Sequence, residues 1–143
     1  MSLHFFNEDV GLPKLNYEAI IRSFKGELRV HKALLGSINY IFCSDTYLLE
    51  LNIKFLKHDY FTDVITFDYS IHNFISGDVF VSVDRVRENA ILYKTTFHTE
   101  MSRVVFHGIL HLCGYNDKIE LEIAQMRAKE DLYINHFVSR EAK

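Results

Sequence analysis

FHGILHLCGYNDK, residues 106–118, reads as the end of a helix followed by a sharp turn, and the rest of the chain is best read outward from it. Met101, Val105, Ile109 and Leu112 recur at helical spacing and predict a buried stripe, with Thr99 as the expected cap of the helix. Gly114 tolerates the left-handed backbone that ends a helix, so the chain is expected to bend there. Beyond the bend, Asp117 or Lys118 starts a last amphipathic helix with Ile119, Ile123, Met126 and Tyr133 facing inward.

Upstream the pattern is mixed. Residues 3–7 read as a short strand, residues 14–24 as a helix after Pro13, and residues 27–35 fit neither period. Ile38, Tyr40 and Phe42 alternate through residues 37–43 as a strand. Asp45 then caps a helix with the stripe Tyr47, Leu48, Leu51 and Phe55. Residues 63–69 and 78–83, rich in Val, Ile and Phe, predict adjacent strands joined by a turn over 73–77, and Asp84 caps a helix through Tyr93. With no repeat, linker or low-complexity run, residues 1–143 are expected to form a single small α+β domain. It consists of a mixed sheet of about four strands packed with helices, and its helical C-terminal part carries the metal-binding motif.

Composition narrows the class. The chain has 143 residues, 48% of them hydrophobic, with one Pro and six Gly, enough for one core and unlike a collagenous or disordered sequence. No run approaches the length of a membrane span, and the start, MSLHFFNEDV, lacks a basic, apolar export signal, so a cytoplasmic protein without membrane attachment is expected. Cys43 and Cys113 are too far apart in sequence for a paired-cysteine motif and are expected to be buried thiols. Sixteen basic against 19 acidic residues do not make the positive surface typical of sequence-independent duplex binding. Central Lys54, Lys57, Arg85, Arg87, Lys94 and Arg103 can nevertheless form a local basic wall, opposed by Glu120, Glu122, Glu130 and Asp131 near the end.

His107 and His111 stand four residues apart, hence about 40° apart around a helix axis, where both imidazoles can converge on one ion. The bend at Gly114 brings Asp117 back toward them as a third ligand and leaves an open position for water. A competing account makes Asp117, with Glu120 three residues on, a capping-box start of the last helix. Cys113 is rotated away from His111 and is not counted among the ligands.

The block from His107 to Tyr115 resembles the zinc-binding signature HGxLHLxGYDH of the YbeY-type rRNA-maturation endoribonuclease family. Leu51-Asn52, the run from Thr62 to Phe67, and Gly77-Asp78-Val79 are similar to that family's other blocks, in the same order, so the resemblance covers most of the chain after Ser37. It implies one zinc ion per chain, single-stranded RNA as substrate, and work on precursor rRNA and the small ribosomal subunit. Two positions depart from the family pattern. Asp117 stands where the third ligand is usually histidine, and Leu56 stands where an arginine is usual, with Lys57 beside it.

The expected chemistry is metal-assisted hydrolysis of an RNA phosphodiester. Lys57 and Arg103, the latter one turn before His107, are the expected phosphate partners, and Tyr60, Phe61 and Tyr115 the candidate stacking surfaces. Three rivals remain at this point. A zinc peptidase uses the same ligand spacing but needs a Glu where Gly108 stands. A mononuclear iron oxygenase also uses two histidines and a carboxylate. A non-catalytic ribosome-assembly factor with a structural metal would account for the missing arginine.

Overall fold

The computed structural model describes the backbone of residues 2–141 and the side chains of residues 2–135. Four strands, β1 (Ser2–Asn7), β2 (Leu34–Cys43), β3 (Val64–Asp68) and β4 (Phe74–Ser82), form one sheet in the order β1-β2-β4-β3. β1 and β2, and β2 and β4, run parallel, while β3 is antiparallel to β4 and forms an edge. The helices are α1 (Tyr17–Val30), α2 (Asp45–Leu51), α3 (Val83–Leu92), α4 (Phe97–Leu112) and α5 (Glu120–Glu141), and a π-helical turn over Asn52–Leu56 follows α2. The expected α+β class, with its mixed four-stranded sheet and helical C-terminal part, is what the chain forms.

The period of two along the strands divides the residues between the two faces of the sheet. Leu3 pairs with Ile38, Phe5 with Tyr40, and Tyr40 in turn with Val79, so these side chains share one face with Phe42 and Val81. They meet Ile20, Phe24 and Leu28 of α1, Val86 of α3 and the stripe of α4 in the main core. The other face is smaller: Cys43 and Ile65 pack with Leu48 of α2. Met101, Val105, Ile109 and Leu112 are 0%, 0%, 2% and 3% exposed. At roughly 1.5–3 kcal/mol for each buried apolar side chain, this stripe is what fastens α4 to the sheet.

Several boundaries move. α1 starts at Tyr17 and not at residue 14, because Asn16 caps it by accepting from the Ala19 N–H, and it runs into the unassigned stretch as far as Val30. The caps of α2, α3 and α4 are Ser44, Ser82 and Thr96, each hydroxyl accepting an amide hydrogen three residues on, and not Asp45, Asp84 and Thr99. Asp45 instead accepts from Arg85 and the Ser82 hydroxyl. Phe55, expected inside, is 54% exposed because the helix widens into the π-turn after Leu51. The β3–β4 turn comes earlier than expected, closed by the Ile71–Phe74 bridge, and residues 74–77 extend β4. Of the residues expected to face inward from the last helix, Met126 is buried, but Ile119, which precedes α5, and Ile123 are 59% and 48% exposed.

Candidate metal centre

α4 reaches the centre with its backbone fixed at both ends. Thr96 Oγ1 accepts from the Thr99 N–H at 3.1 Å at the start. At the finish the Tyr115 N–H bonds Leu110 O and the Gly114 N–H bonds His111 O, both at 3.0 Å. That pair of bonds, with Gly114 at φ +102°, is a Schellman ending, and it turns the chain back over the last helical turn. Asp117 is thereby returned to the histidines.

His107 Nε2 and His111 Nε2 each lie 3.3 Å from Asp117 Oδ2, and the three donor atoms lie within 4.8 Å of one another. The rings stand edge to face, with centroids 4.6 Å apart. A tetrahedral ion bound at about 2.0–2.1 Å separates its ligand atoms by about 3.3 Å, so the spacing suits a zinc-sized cation. The donor set, two ring nitrogens and one carboxylate oxygen, is also one that zinc accepts. The Asp117 carboxylate faces the imidazoles, and the amides that open the last helix, those of Lys118 and Ile119, donate to Glu122 instead, at 3.2 Å each. The capping role that the competing account gave to Asp117 is filled by Glu122.

The second nitrogen of His107 is engaged as well. Nδ1 lies 2.6 Å from Glu130 Oε2 on α5, and Glu130 Oε1 accepts from Arg103 Nη1 at 2.9 Å. Arg103 Nη2 donates to Asp131 at 2.8 Å. Arg103, expected as a phosphate partner, thus forks onto two carboxylates. Burial by itself would lower the His107 pKa, but the hydrogen bond and charge of Glu130, with Asp117 and Asp63 nearby, outweigh it and hold the imidazole above its ordinary value.

Two adjoining clefts open on the centre and share Asp63, Val64, His107 and Asp117. One, of about 490 Å³, runs between β3 and the loop after the π-turn and is lined by Leu56, His58, Tyr60, Thr66 and His111 among others. The other, of about 380 Å³, lies between α4 and α5 and includes Glu100, Arg103 and Glu130. Burial pushes the carboxyls of Asp63 and Glu100 up, partly opposed by His107 and by Arg103 respectively. Lys57 is exposed and ends the π-turn at φ 58°, next to Leu56 at the cleft wall. Tyr60 and Phe61 are 56% and 50% exposed and belong to the surface. Tyr115 instead donates to the buried carboxylate of Glu27 at 3.1 Å.

Sequence reasoning missed Glu130 and Asp63 as parts of this site. In the sequence Glu130 belongs to an acidic cluster near the end of the chain, a pattern usual for a solvated face, whereas it is 4% exposed. The available signal was the placement of Arg103 and His107 one turn apart on a buried helix, an arrangement that calls for an acidic partner. Gly108 faces Val79 and Tyr40 of the sheet, so the position where a peptidase helix of this spacing carries its Glu base points into the core.

Comparison with known proteins places this geometry in context. A family model described as Endoribonuclease YbeY matches residues 7–138. A Cytophaga hutchinsonii protein named Endoribonuclease YbeY is 48% identical over 132 residues, 91% of this chain and 92% of the relative. A Parabacteroides distasonis protein of the same name is 47% identical over 118 residues, 82% and 83% of the two chains. Among solved structures, the solution structure of TM1509 from Thermotoga maritima matches with a TM-score of 0.64 and 27% identity, covering 99% of this chain and 92% of that one.

Proposed function

The chain belongs to the YbeY endoribonuclease family, and from that premise we propose that it is a metal-dependent endoribonuclease that cuts single-stranded precursor rRNA during small-subunit maturation. Its resident ion is zinc, one per chain, and it works in the cytoplasm, with residues 1–143 acting as one domain. The observation that carries the reading is the convergence of His107, His111 and Asp117 at the mouth of an open cleft. Among the described residues no helix is long and apolar enough to cross a membrane, which is consistent with a substrate met in solution.

A zinc ion held by His107, His111 and Asp117 would supply Lewis acidity toward water and toward a phosphate. The protein's own part is positional. His107 and His111 come from a helix immobilised by its core stripe, so the donors are held without reorganisation. Asp117 adds a negative charge that a histidine would not, which moderates the ion's Lewis acidity. Lys57, at the lip of the cleft, meets a backbone phosphate as a point charge. Exposed Tyr60, stacked on His58 with ring centroids 5.1 Å apart, offers a face to an unpaired base. Arg103 serves the centre through Glu130.

A second reading, a non-catalytic assembly factor that binds RNA, is favoured by Leu56 in the arginine's place and by the commitment of Arg103 to acidic partners. One experiment separates the readings. Elemental analysis of the wild type, His111→Ala and Asp117→Ala is followed by assays on single-stranded RNA and on casein. About one zinc per wild-type chain, lost in both variants together with RNA cleavage, supports the nuclease. RNA bound but uncut supports the assembly factor, and casein cleavage a peptidase.

A further inference from the structure

Resting on the metal reading above, we propose that Glu130 is the positioning residue of the centre, selecting the ring tautomer of His107 that presents an unprotonated Nε2 to the ion. A neutral histidine carries its one proton on either nitrogen, and only the form protonated at Nδ1 has a lone pair on Nε2. His107 Nε2 is the atom turned toward Asp117, and Nδ1 the atom turned toward Glu130. An ionised carboxylate only accepts hydrogen bonds, so at 2.6 Å it demands the Nδ1–H form.

Glu130 has no freedom to do otherwise. Its side chain is 5% exposed, and its other oxygen is held by Arg103 at 2.9 Å, with Arg127 4.0 Å away. Arg103 is in turn fixed by Asp131 at 2.8 Å. Two successive acidic residues of α5 therefore set, through one guanidinium, the orientation of a ring on α4. A simple tie between helices would need only one of these contacts.

Replacing Glu130 by Gln changes one atom and makes a sharp prediction. The amide has one acceptor, and the cationic Arg103 claims it more strongly than a neutral ring does. The amide NH₂ then faces His107 Nδ1 and drives the ring to the Nε2–H form, which cannot bind the ion through Nε2. Glu130→Ala leaves the tautomer unforced. Glu130→Gln is accordingly expected to lose more zinc affinity than Glu130→Ala, each falling at least within the range of about 10- to 100-fold typical of lost outer partners.

The test uses the full chain. Zinc affinity is measured by competition with a chromophoric chelator. The His107 tautomer is read by ¹⁵N NMR of the metal-free protein on the alkaline side of the ring's own titration, followed in the same spectra, and thermal unfolding of the metal-free variants reports the fold. Nδ1–H in the wild type, Nε2–H in Glu130→Gln and the ranking wild type, Ala, Gln in affinity bear the proposal out. An unchanged tautomer in Glu130→Gln, or affinity falling only in step with thermal stability, overturns it and leaves Glu130 a helix tie. A wild type with the Nδ1–H form that takes up no zinc overturns the metal reading itself, a result distinguishable from the others.

Discussion

A Cβ placed on Gly108 would stand 2.9 Å from Val79 Cγ1 and 3.1 Å from the Tyr40 hydroxyl, so α4 crosses the sheet at a distance where any larger side chain would make Val79 shift. The helix is held at that height by Tyr40, whose hydroxyl donates to Val105 O at 2.5 Å. The two histidines flank this contact point along the helix, so the height of the helix sets the height of the imidazoles.

Gly108→Ala is therefore expected to damage the centre out of proportion to its size. Overpacking costs about 1–3 kcal/mol, and the gain in helix propensity returns about 1 kcal/mol. The net loss is up to about 2 kcal/mol, read as a lower urea midpoint. Zinc affinity should fall with it. A variant as stable as the wild type and with undiminished zinc binding would show that the approach to Val79 is not tight.

Gly114 offers the complementary case, since nothing lies within 4 Å of where its Cβ would be. Any cost of Gly114→Ala comes from the backbone at φ +102° alone and is expected at about 1–2 kcal/mol. Because Asp117 is carried by that turn, the variant should bind zinc more weakly than an equally destabilised control altered on α1. Equal binding by the two would dissociate the turn from the ligand set.

Glu27 links acid stability to the same region. Burial would raise its pKa, but hydrogen bonds from Tyr133, His31 and Lys129 outweigh that and hold it below its usual 4.5. The unfolded chain therefore takes up a proton first. The contribution is complete above pH 4.5 and disappears as the pH falls through the lower folded value. Glu27→Gln should be less stable than the wild type at neutral pH and show a shallower loss of stability in acid. Parallel stability–pH curves for the two proteins would count against this assignment.

Both thiols are expected to be inert. Cys43 is fully buried, and burial pushes each thiol up to about 12, with Glu27 adding to the effect at Cys113 and Asp9 at Cys43. A maleimide at neutral pH should label neither cysteine in the native state and both in denaturant. Fast labelling of the half-buried Cys113 in the native protein would contradict this.

Periodicity made the scaffold readable. The stripe of α4 and the alternation along β2 are burial patterns, and burial is what the fold imposes on sequence. Caps were less readable because two candidates stood side by side: at Ser44-Asp45 the hydroxyl caps α2, while the carboxylate was drawn away by Arg85. Gly77 looked like a turn residue but sits within β4, where a Cβ would press to 2.8 Å from Leu112 Cδ2. The three candidate ligands were visible because they are local, one helix and its bend. Glu130 was not, because its partners lie on a different helix and only the fold brings the two surfaces together.

The order in which these parts appear has a consequence for biogenesis. Synthesis runs from the N-terminus, so the histidines and Asp117 are joined to the chain before Glu130 is. A polypeptide that ends between them carries all three candidate donor side chains yet lacks the carboxylate that faces the first ring. Secure retention of the ion then becomes a mark of a finished molecule, withheld until the closing segment has docked.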